Sequence, residues 1–248
     1  MRMLTKEWYQ TMLDSGLGVC LEVDPRAAEF SEELFQGLWA EKLADWLKMR
    51  EEICPILEQE FDEAGERRYF EENYARELET YRTRTPAGIL QKVADIRLLA
   101  LGFCTEEVFR EFEQFRTRCE EQTVQTMRKV WNMQVSLGLD KIWTGEHSLH
   151  DSSVESLKRE GEDLILKFRR EAEPWSQIEA IRFREAEILK QEQPMENTWW
   201  LYDEIWSREE GGYEIHALLW RDQELFELTI GCRDTELIWT MPPKESNV

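Results

Sequence analysis

Three residues near the middle of the chain have side chains and spacing that could do chemistry: His147, His150 and Asp151. Two imidazoles and a carboxylate in the pattern His-x-x-His-Asp provide the donor types of a metal site. A divalent cation normally takes three or four protein ligands, or two with water. The alternative interpretation is an aspartate that caps a turn beside two exposed histidines.

His216 is the third histidine of the chain and lies within the apolar run YEIHALLW. Alternation in a strand would place it on one face with Glu214, Leu218 and Trp220. A histidine between acids and aromatic rings could titrate near neutral pH or act as a base, and the alternative is a hydrogen-bonded histidine inside a sheet. Glu204, like its neighbour Asp203, could pair with His216 across the predicted hairpin, but the sequence leaves the register open.

Aromatic side chains are concentrated in the last fifty residues of the chain. The hypothesis of a binding face rests on Trp200, Tyr202, Trp206, His216 and Trp220. Trp199 and Trp200 must point to opposite sides of their strand, so both faces of the sheet carry large apolar groups. One face packs into a core, and the other either is covered by further strands and loops or binds a partner.

Familiar catalytic motifs are absent from the sequence. It contains no nucleophile elbow, phosphate-binding glycine loop or dinucleotide fingerprint, and we expect neither a catalytic residue nor a cofactor. The five cysteines include no Cys-x-x-Cys pair, which favours free thiols in a reducing cytoplasm. Cys104 precedes a predicted long helix whose dipole could lower its pKa, but a buried core thiol is the alternative.

The hydrophobic period changes near residue 148, from three or four positions to two. This change predicts an α+β protein, with an antiparallel helical bundle over residues 1–146 and an antiparallel β-sheet or small sandwich over residues 147–248. The most apolar predicted helix is Ile89–Leu101. The predicted strand Ile178–Leu189 carries an irregularity, because Ile181 and Phe183 are out of phase with Ala186 and Ile188.

The chain is strongly acidic, with a formal net charge of −21. Such a field repels phosphate backbones and anionic lipids, so we expect neither nucleic-acid nor membrane binding, whereas a basic protein remains a possible partner. The sequence has no signal peptide and no apolar stretch long enough to span a bilayer, which predicts a cytoplasmic protein. It does not indicate the oligomeric state.

Four stretches resemble an uncharacterised family of bacterial proteins that is known only as a domain of unknown function. They are LTKEWYQTML, FSEELFQGLWAEKLADWL, WLYDEIWSREEGGYEIHALLW and ELFELTIGC. The resemblance implies a helical N-terminal region, a C-terminal β-region containing GGYEIH…LTI, and a cytosolic bacterial protein, but no activity or site residue. The segment LHDSSVESL with GEDLIL also resembles the β-domains of some toxin-immunity proteins.

These observations predict a non-enzymatic protein-interaction module, of the inhibitor or immunity type, that binds a basic partner through an acidic and aromatic surface. The alternative is a small enzyme, or a metal- or ligand-binding protein, with a site near His150, Asp151 and His216 at the domain junction.

Overall fold

The computed structural model describes residues 1–139, 149–169 and 178–239. The chain divides into two compact units: residues 1–10 with residues 122–248, and residues 11–121. The first unit contains an eight-stranded antiparallel sheet and the second is mostly helical, so the predicted α+β class is confirmed. The predicted junction at residue 147 lies outside the described residues.

Helices account for most of the first 136 residues. They are Lys6–Asp14 (α1), Glu32–Ile53 (α2), Glu63–Arg84 (α3), Ala87–Leu90 (α4), Ile96–Ala100 (α5) and Glu106–Ser136 (α6), with a 3₁₀ turn at Pro25–Ala28. α2 begins at a capping serine, since the Ser31 hydroxyl accepts a hydrogen bond of 3.1 Å from the backbone N–H of Leu34. Where the structure is described, no helix is long and apolar enough to cross a lipid bilayer.

The prediction of one continuous helix over Ile89–Leu101 is wrong, because the short helices α4 and α5 replace it. Asp95 has an extended backbone, and its carboxylate accepts a hydrogen bond of 2.8 Å from the backbone N–H of Arg97. This cap starts a new helix inside the apolar run. Two short parallel strands, Glu22–Val23 (β1) and Phe103–Cys104 (β2), are also present in the predicted helical half.

Within residues 11–121 the helices pack around two apolar clusters. One is centred on Leu38, Leu98 and Phe103, and the other on Leu99 and Phe112. These side chains leave water almost completely, which is the main favourable contribution to the folding of this unit.

Within the described residues, the large sheet contains every strand after residue 150. They are Ser152–Glu160 (β3), Asp163–Phe168 (β4), Ile178–Arg184 (β5), Glu187–Gln191 (β6), Thr198–Ser207 (β7), Tyr213–Arg221 (β8), Glu224–Cys232 (β9) and Asp234–Trp239 (β10). Their order is β10-β5-β4-β3-β7-β8-β9-β6. Asp222 and Gln223 join β8 to β9 with positive φ values of 51° and 72°, which suits a two-residue hairpin between twisted strands.

β5 and β6 are two parts of one strand that bends at Glu185, where φ is 47°. Arg184 pairs with Asp234 before the bend, and Glu187 pairs with Gly231 after it. The β5–β6 strand therefore stays paired with the β9–β10 strand on both sides of the bend. This bend is the physical origin of the phase change that the sequence predicts in Ile178–Leu189.

β7, β8 and β9 have two different sides. The inner side belongs to one continuous apolar core with Ile205, Ile215, Ala217, Leu228 and Ile230. The opposite side carries mostly polar and aromatic residues, and this is the side on which the candidate site lies.

Candidate functional site

The candidate site is the polar side of β7–β9, which we call the acidic face. Strand pairing aligns Glu204 with His216 and Thr229, and aligns Trp206 with Glu214. The acidic face comprises Tyr202, Glu204, Trp206, Glu214, His216, Glu227 and Thr229. Alternation along the three strands brings these residues to one side, because residues two positions apart share a face.

A β-bulge in β7 separates the predicted aromatic set. Trp200 pairs with Leu219, but Tyr202 pairs with Leu218, so one extra residue of β7 is accommodated between them. The bulge sends Trp200 into the core, where it is 0% exposed, and leaves Tyr202 and the following even-numbered residues on the acidic face. Trp200 therefore contributes to packing, whereas Tyr202 and Trp206 belong to the face.

Backbone groups at the start of the chain bind to Glu204, which is 0% exposed. The backbone N–H of Arg2 donates to Oε1 of Glu204, and the N–H of Met3 lies 3.2 Å from Oε1 and 3.1 Å from Oε2. A buried carboxylate is costly unless hydrogen bonds stabilise it, and these two successive donors provide that stabilisation.

The side chain of Arg2 lies on the acidic face between an acid and an aromatic ring. Its Nη2 atom is 3.1 Å from Oε2 of Glu214, and its guanidinium carbon is 4.6 Å from the ring centroid of Trp206. The arginine is therefore bound by an ion pair and by a cation–π contact at the same time.

The amino group of Met1 donates a hydrogen bond of 3.0 Å to Oε2 of Glu227. Lys190 donates to the same oxygen at 2.7 Å. Burial by itself would raise the pKa of Glu227, but the hydrogen bonds from Lys190 and the Met1 amino group outweigh it and hold the pKa below its usual value. Glu227 is therefore ionised when residues 1–3 occupy the face.

His216 is paired with Glu204, to which residues 2 and 3 of the bound segment (residues 1–3) bind, and it is 6% exposed. Its Nδ1 atom lies 3.4 Å from the Thr229 hydroxyl oxygen. Its Nε2 atom is 2.7 Å from Oε1 of Glu214, so a carboxylate is in direct contact with the buried imidazole.

The charge state of His216 is coupled to the bound segment. Burial first and then the Met1 amino group lower its pKa below 6.5, although Glu204 and Glu214 oppose the shift. The neutral imidazole is therefore favoured in the folded chain. His216 binds a proton more readily in the unfolded chain than in the folded chain. The stabilisation of the fold by neutral His216 is therefore complete above pH 6.5 and decreases as the pH falls below that value.

Apolar contacts fix the rest of residues 1–10 on the same unit. Leu4 and Trp8 are both buried. The Trp8 ring packs edge-on against Tyr202 with 4.9 Å between centroids, and its Nε1 atom donates to the carbonyl oxygen of Thr123 at 3.4 Å. These anchors hold the segment independently of the charges on residues 1–3.

The predicted His-x-x-His-Asp site lies next to the acidic face. Nδ1 of His150 is 3.0 Å from Oδ2 of Asp151, and the His150 ring packs against Tyr202 at 4.9 Å. His147 lies outside the described residues. Within the described residues no group of three or more His, Cys, Asp or Glu is arranged to hold a metal ion.

Two further residues that the sequence analysis singled out, Trp220 and Cys104, make no recorded contact with residues 1–3. Trp220 is half-buried near the end of β8, where it pairs with Trp199 and Leu225. Cys104 is buried in the helical unit, and burial raises its pKa to about 11. This shift opposes formation of a thiolate nucleophile.

The helical unit has a groove of its own, of about 640 Å³, which includes Lys42 and Arg84 in its lining. Both cations are paired, because Lys42 lies 2.6 Å from Glu22 and Arg84 lies 2.7 Å from Asp14. The two cations of this groove are therefore already compensated by carboxylates of the same unit.

Sequence reasoning missed Glu227 and the first three residues. Alternation in LFELTIG places Glu227 on the same side as Thr229, and that was a usable signal. No local pattern indicates that Arg2 reaches Glu214, since 212 residues separate them in the sequence.

A family model described as a protein of unknown function, DUF4085, matches residues 63–231. No curated protein and no solved structure matches the chain significantly.

Proposed function

We propose that this chain, which belongs to the DUF4085 family of proteins of unknown function, is a non-enzymatic binding module that takes a basic polypeptide segment of a partner protein on its acidic face. The observation that carries the proposal is the segment already bound there. Residues 1–3 show which chemical groups the face accepts: two backbone N–H groups, a guanidinium and an amino group.

The contacts with Arg2 are those of a recognition site for a cation. Trp206 offers a ring face and Glu214 a carboxylate, a pair of contacts that suits arginine better than the compact ammonium of lysine. The Nε1 atom of Trp206 is buried without a hydrogen-bond partner. A partner segment that supplied an acceptor for this N–H would bind more tightly than residues 1–3 do.

The charge of the whole chain supports a basic partner. A formal net charge of −21 attracts cationic proteins from a distance and accelerates their association at low ionic strength. Residues 1–3 compete with any partner from within the same chain, and a short connection gives such a competitor an effective concentration on the order of millimolar.

The test uses the full chain with Arg2→Glu, which replaces the guanidinium beside Glu214 by a carboxylate. Repulsion between the two carboxylates should open the face, while the buried Leu4 and Trp8 keep α1 in place. The probe is the peptide Met-Arg-Met-Gly-Gly, and the indole N–H signal of Trp206, assigned with Trp206→Phe, reports its binding by NMR. Arg67→Glu is the matched control, since it makes the same charge change at an exposed helix position.

We expect the Arg2→Glu chain to bind the peptide with a dissociation constant on the order of 0.1–1 mM, at least about tenfold more tightly than the Arg67→Glu chain. Adding Glu214→Gln to Arg2→Glu should weaken this binding. Equal binding by the Arg2→Glu and Arg67→Glu chains, or no effect of Glu214→Gln, would refute the proposal.

A further inference from the structure

We propose that protonation of His216 releases the cation from the acidic face, so that the face binds a basic partner strongly at neutral pH and weakly in mildly acidic conditions. The inference rests on the proposed function and adds its regulation. It makes His216 a pH sensor, and it makes Glu214 the group for which the sensor and the bound guanidinium compete.

One carboxylate connects the sensor to the binding site. Oε1 of Glu214 lies 2.7 Å from Nε2 of His216, and Oε2 of the same carboxylate lies 3.1 Å from Nη2 of Arg2. A neutral imidazole that donates its Nε2 proton leaves the full negative charge of Glu214 available to a guanidinium. A protonated imidazole places a positive charge directly beside the carboxylate and compensates it. The guanidinium then loses part of its electrostatic attraction to the face.

The surroundings of His216 fit the neutral ring while the face is occupied. Thr229 on β9 places its hydroxyl oxygen 3.4 Å from Nδ1 of the imidazole, which is 6% exposed. The hydroxyl can donate to Nδ1 while Nε2 donates to Glu214, so both ring nitrogens have a neighbour that suits the neutral form. Burial is the largest cause that lowers the pKa of His216, and the amino group of Met1 is the next.

The carboxylates around His216 act in the opposite direction. Glu204, which pairs with His216 from β7, and Glu214 on β8 both raise its pKa. Glu227 on β9 is compensated separately, because Lys190 of β6 lies 2.7 Å from its Oε2 atom. The charge state of His216 in the folded chain therefore depends on whether positive groups occupy the face beside Glu204 and Glu214.

Departure of the cation shifts this balance toward protonation. The vacated face keeps Glu204 and Glu214 beside the imidazole but loses the positive charges of the bound segment, which raises the pKa of His216. Tyr202 stays neutral throughout, because burial raises the pKa of its hydroxyl above the usual value. A site that gains a proton when it loses a cation binds the cation less strongly as the pH falls. Binding is therefore complete above the pH at which His216 of the vacated face titrates, and it weakens as the pH falls through that value.

The closing experiment measures binding of the peptide Met-Arg-Met-Gly-Gly to the full Arg2→Glu chain, and to the same chain with His216→Gln, at two pH values. The quantity compared is the ratio of the dissociation constant at about pH 5.5 to that at about pH 7.5, the range in which a histidine changes its charge. Both chains share the titration of the peptide's own amino group, so it cancels in the comparison. We expect the ratio to be about fivefold larger with His216 than with Gln, the lower end of the usual coupling between two ligands.

A matched control and a direct titration complete the design. His150→Gln makes the same change at a partly exposed histidine whose ring contacts Tyr202, and it should keep the ratio of the Arg2→Glu chain. NMR of the His216 ring should show that it titrates at a lower pH with the peptide bound than without it. This titration needs no substitution at His216, so it tests the inference even if His216→Gln does not fold.

The outcomes separate this inference from the proposed function. Equal ratios with His216 and with Gln, or a titration of His216 that the peptide does not shift, would show that His216 is not the sensor and would leave the proposed function standing. Loss of the pH effect in His150→Gln would assign it to the wrong histidine and would also overturn the inference. Absence of peptide binding at both pH values would refute the proposed function itself.

Discussion

The substitution Glu204→Gln tests how strongly the acidic face holds residues 1–3. It keeps the size of the side chain, removes its charge and replaces one acceptor oxygen by an NH₂ donor. In the native chain, the carboxylate accepts from Arg2 and Met3 while it is completely shielded from water. The substitution therefore weakens the hydrogen bonds from the N–H groups of Arg2 and Met3, and water cannot reach the buried side chain to replace them.

The expected cost follows from these two bonds. Hydrogen bonds to a charged acceptor contribute about 1.5–3 kcal/mol each and neutral ones about 0.5–1.5 kcal/mol, so the change removes about 2–3 kcal/mol in total. Releasing a buried charge returns part of this amount, which leaves a loss of about 2 kcal/mol. A loss of this size increases the population of the undocked segment about thirtyfold.

Hydrogen exchange of the Met3 amide measures this population, since the amide exchanges when the segment leaves the sheet. We expect Glu204→Gln to accelerate the exchange about thirtyfold. The control Glu155→Gln changes the same group at an exposed position of β3 and should leave the rate unchanged. Unchanged Met3 exchange in Glu204→Gln would refute the account of Glu204 as the acceptor that holds the segment.

Three further predictions concern the sheet unit. His216→Gln should reduce the loss of stability that the native chain shows as the pH falls below 6.5, because the folded state favours the neutral imidazole more than the unfolded state does. Urea unfolding at several pH values measures this loss. Trp200→Ala should cost about 3–5 kcal/mol of unfolding free energy, whereas Trp199→Ala, at a residue 36% exposed, should cost under about 1 kcal/mol. Similar costs at both positions would contradict the bulge. Gly212→Ala should lower the unfolding free energy by at least about 2 kcal/mol, because φ is 87° at this position and the added methyl group would overlap the carbonyl oxygen of Cys232. A thermal transition at the same temperature as that of the native chain would contradict this prediction.

The strands were predictable because their signals are local. Alternation identifies β8 and β9, and the two-residue turn at Asp222 and Gln223 follows from the spacing between them. The structure pairs Glu204 with His216, one of the two pairings that the sequence left open. The bend at Glu185 also left a trace in the sequence, as the phase change between Phe183 and Ala186.

Other features were not predictable because they depend on contacts between distant residues. The bulge after Trp200 reverses the side on which one tryptophan lies, and no residue type marks it. Asp95 interrupts an apolar run that propensity alone reads as one helix, because its capping hydrogen bond competes with helix continuation. The contact between Arg2 and Trp206 joins residues that are far apart in the sequence, and local patterns carry no information on such contacts.

The most direct test of the acidic face is an intermolecular nuclear Overhauser measurement on the Arg2→Glu chain with the peptide Met-Arg-Met-Gly-Gly bound. The account predicts contacts between the arginine side chain of the peptide and the indole ring of Trp206. Contacts of that arginine with another surface, in the absence of any to Trp206, would contradict it.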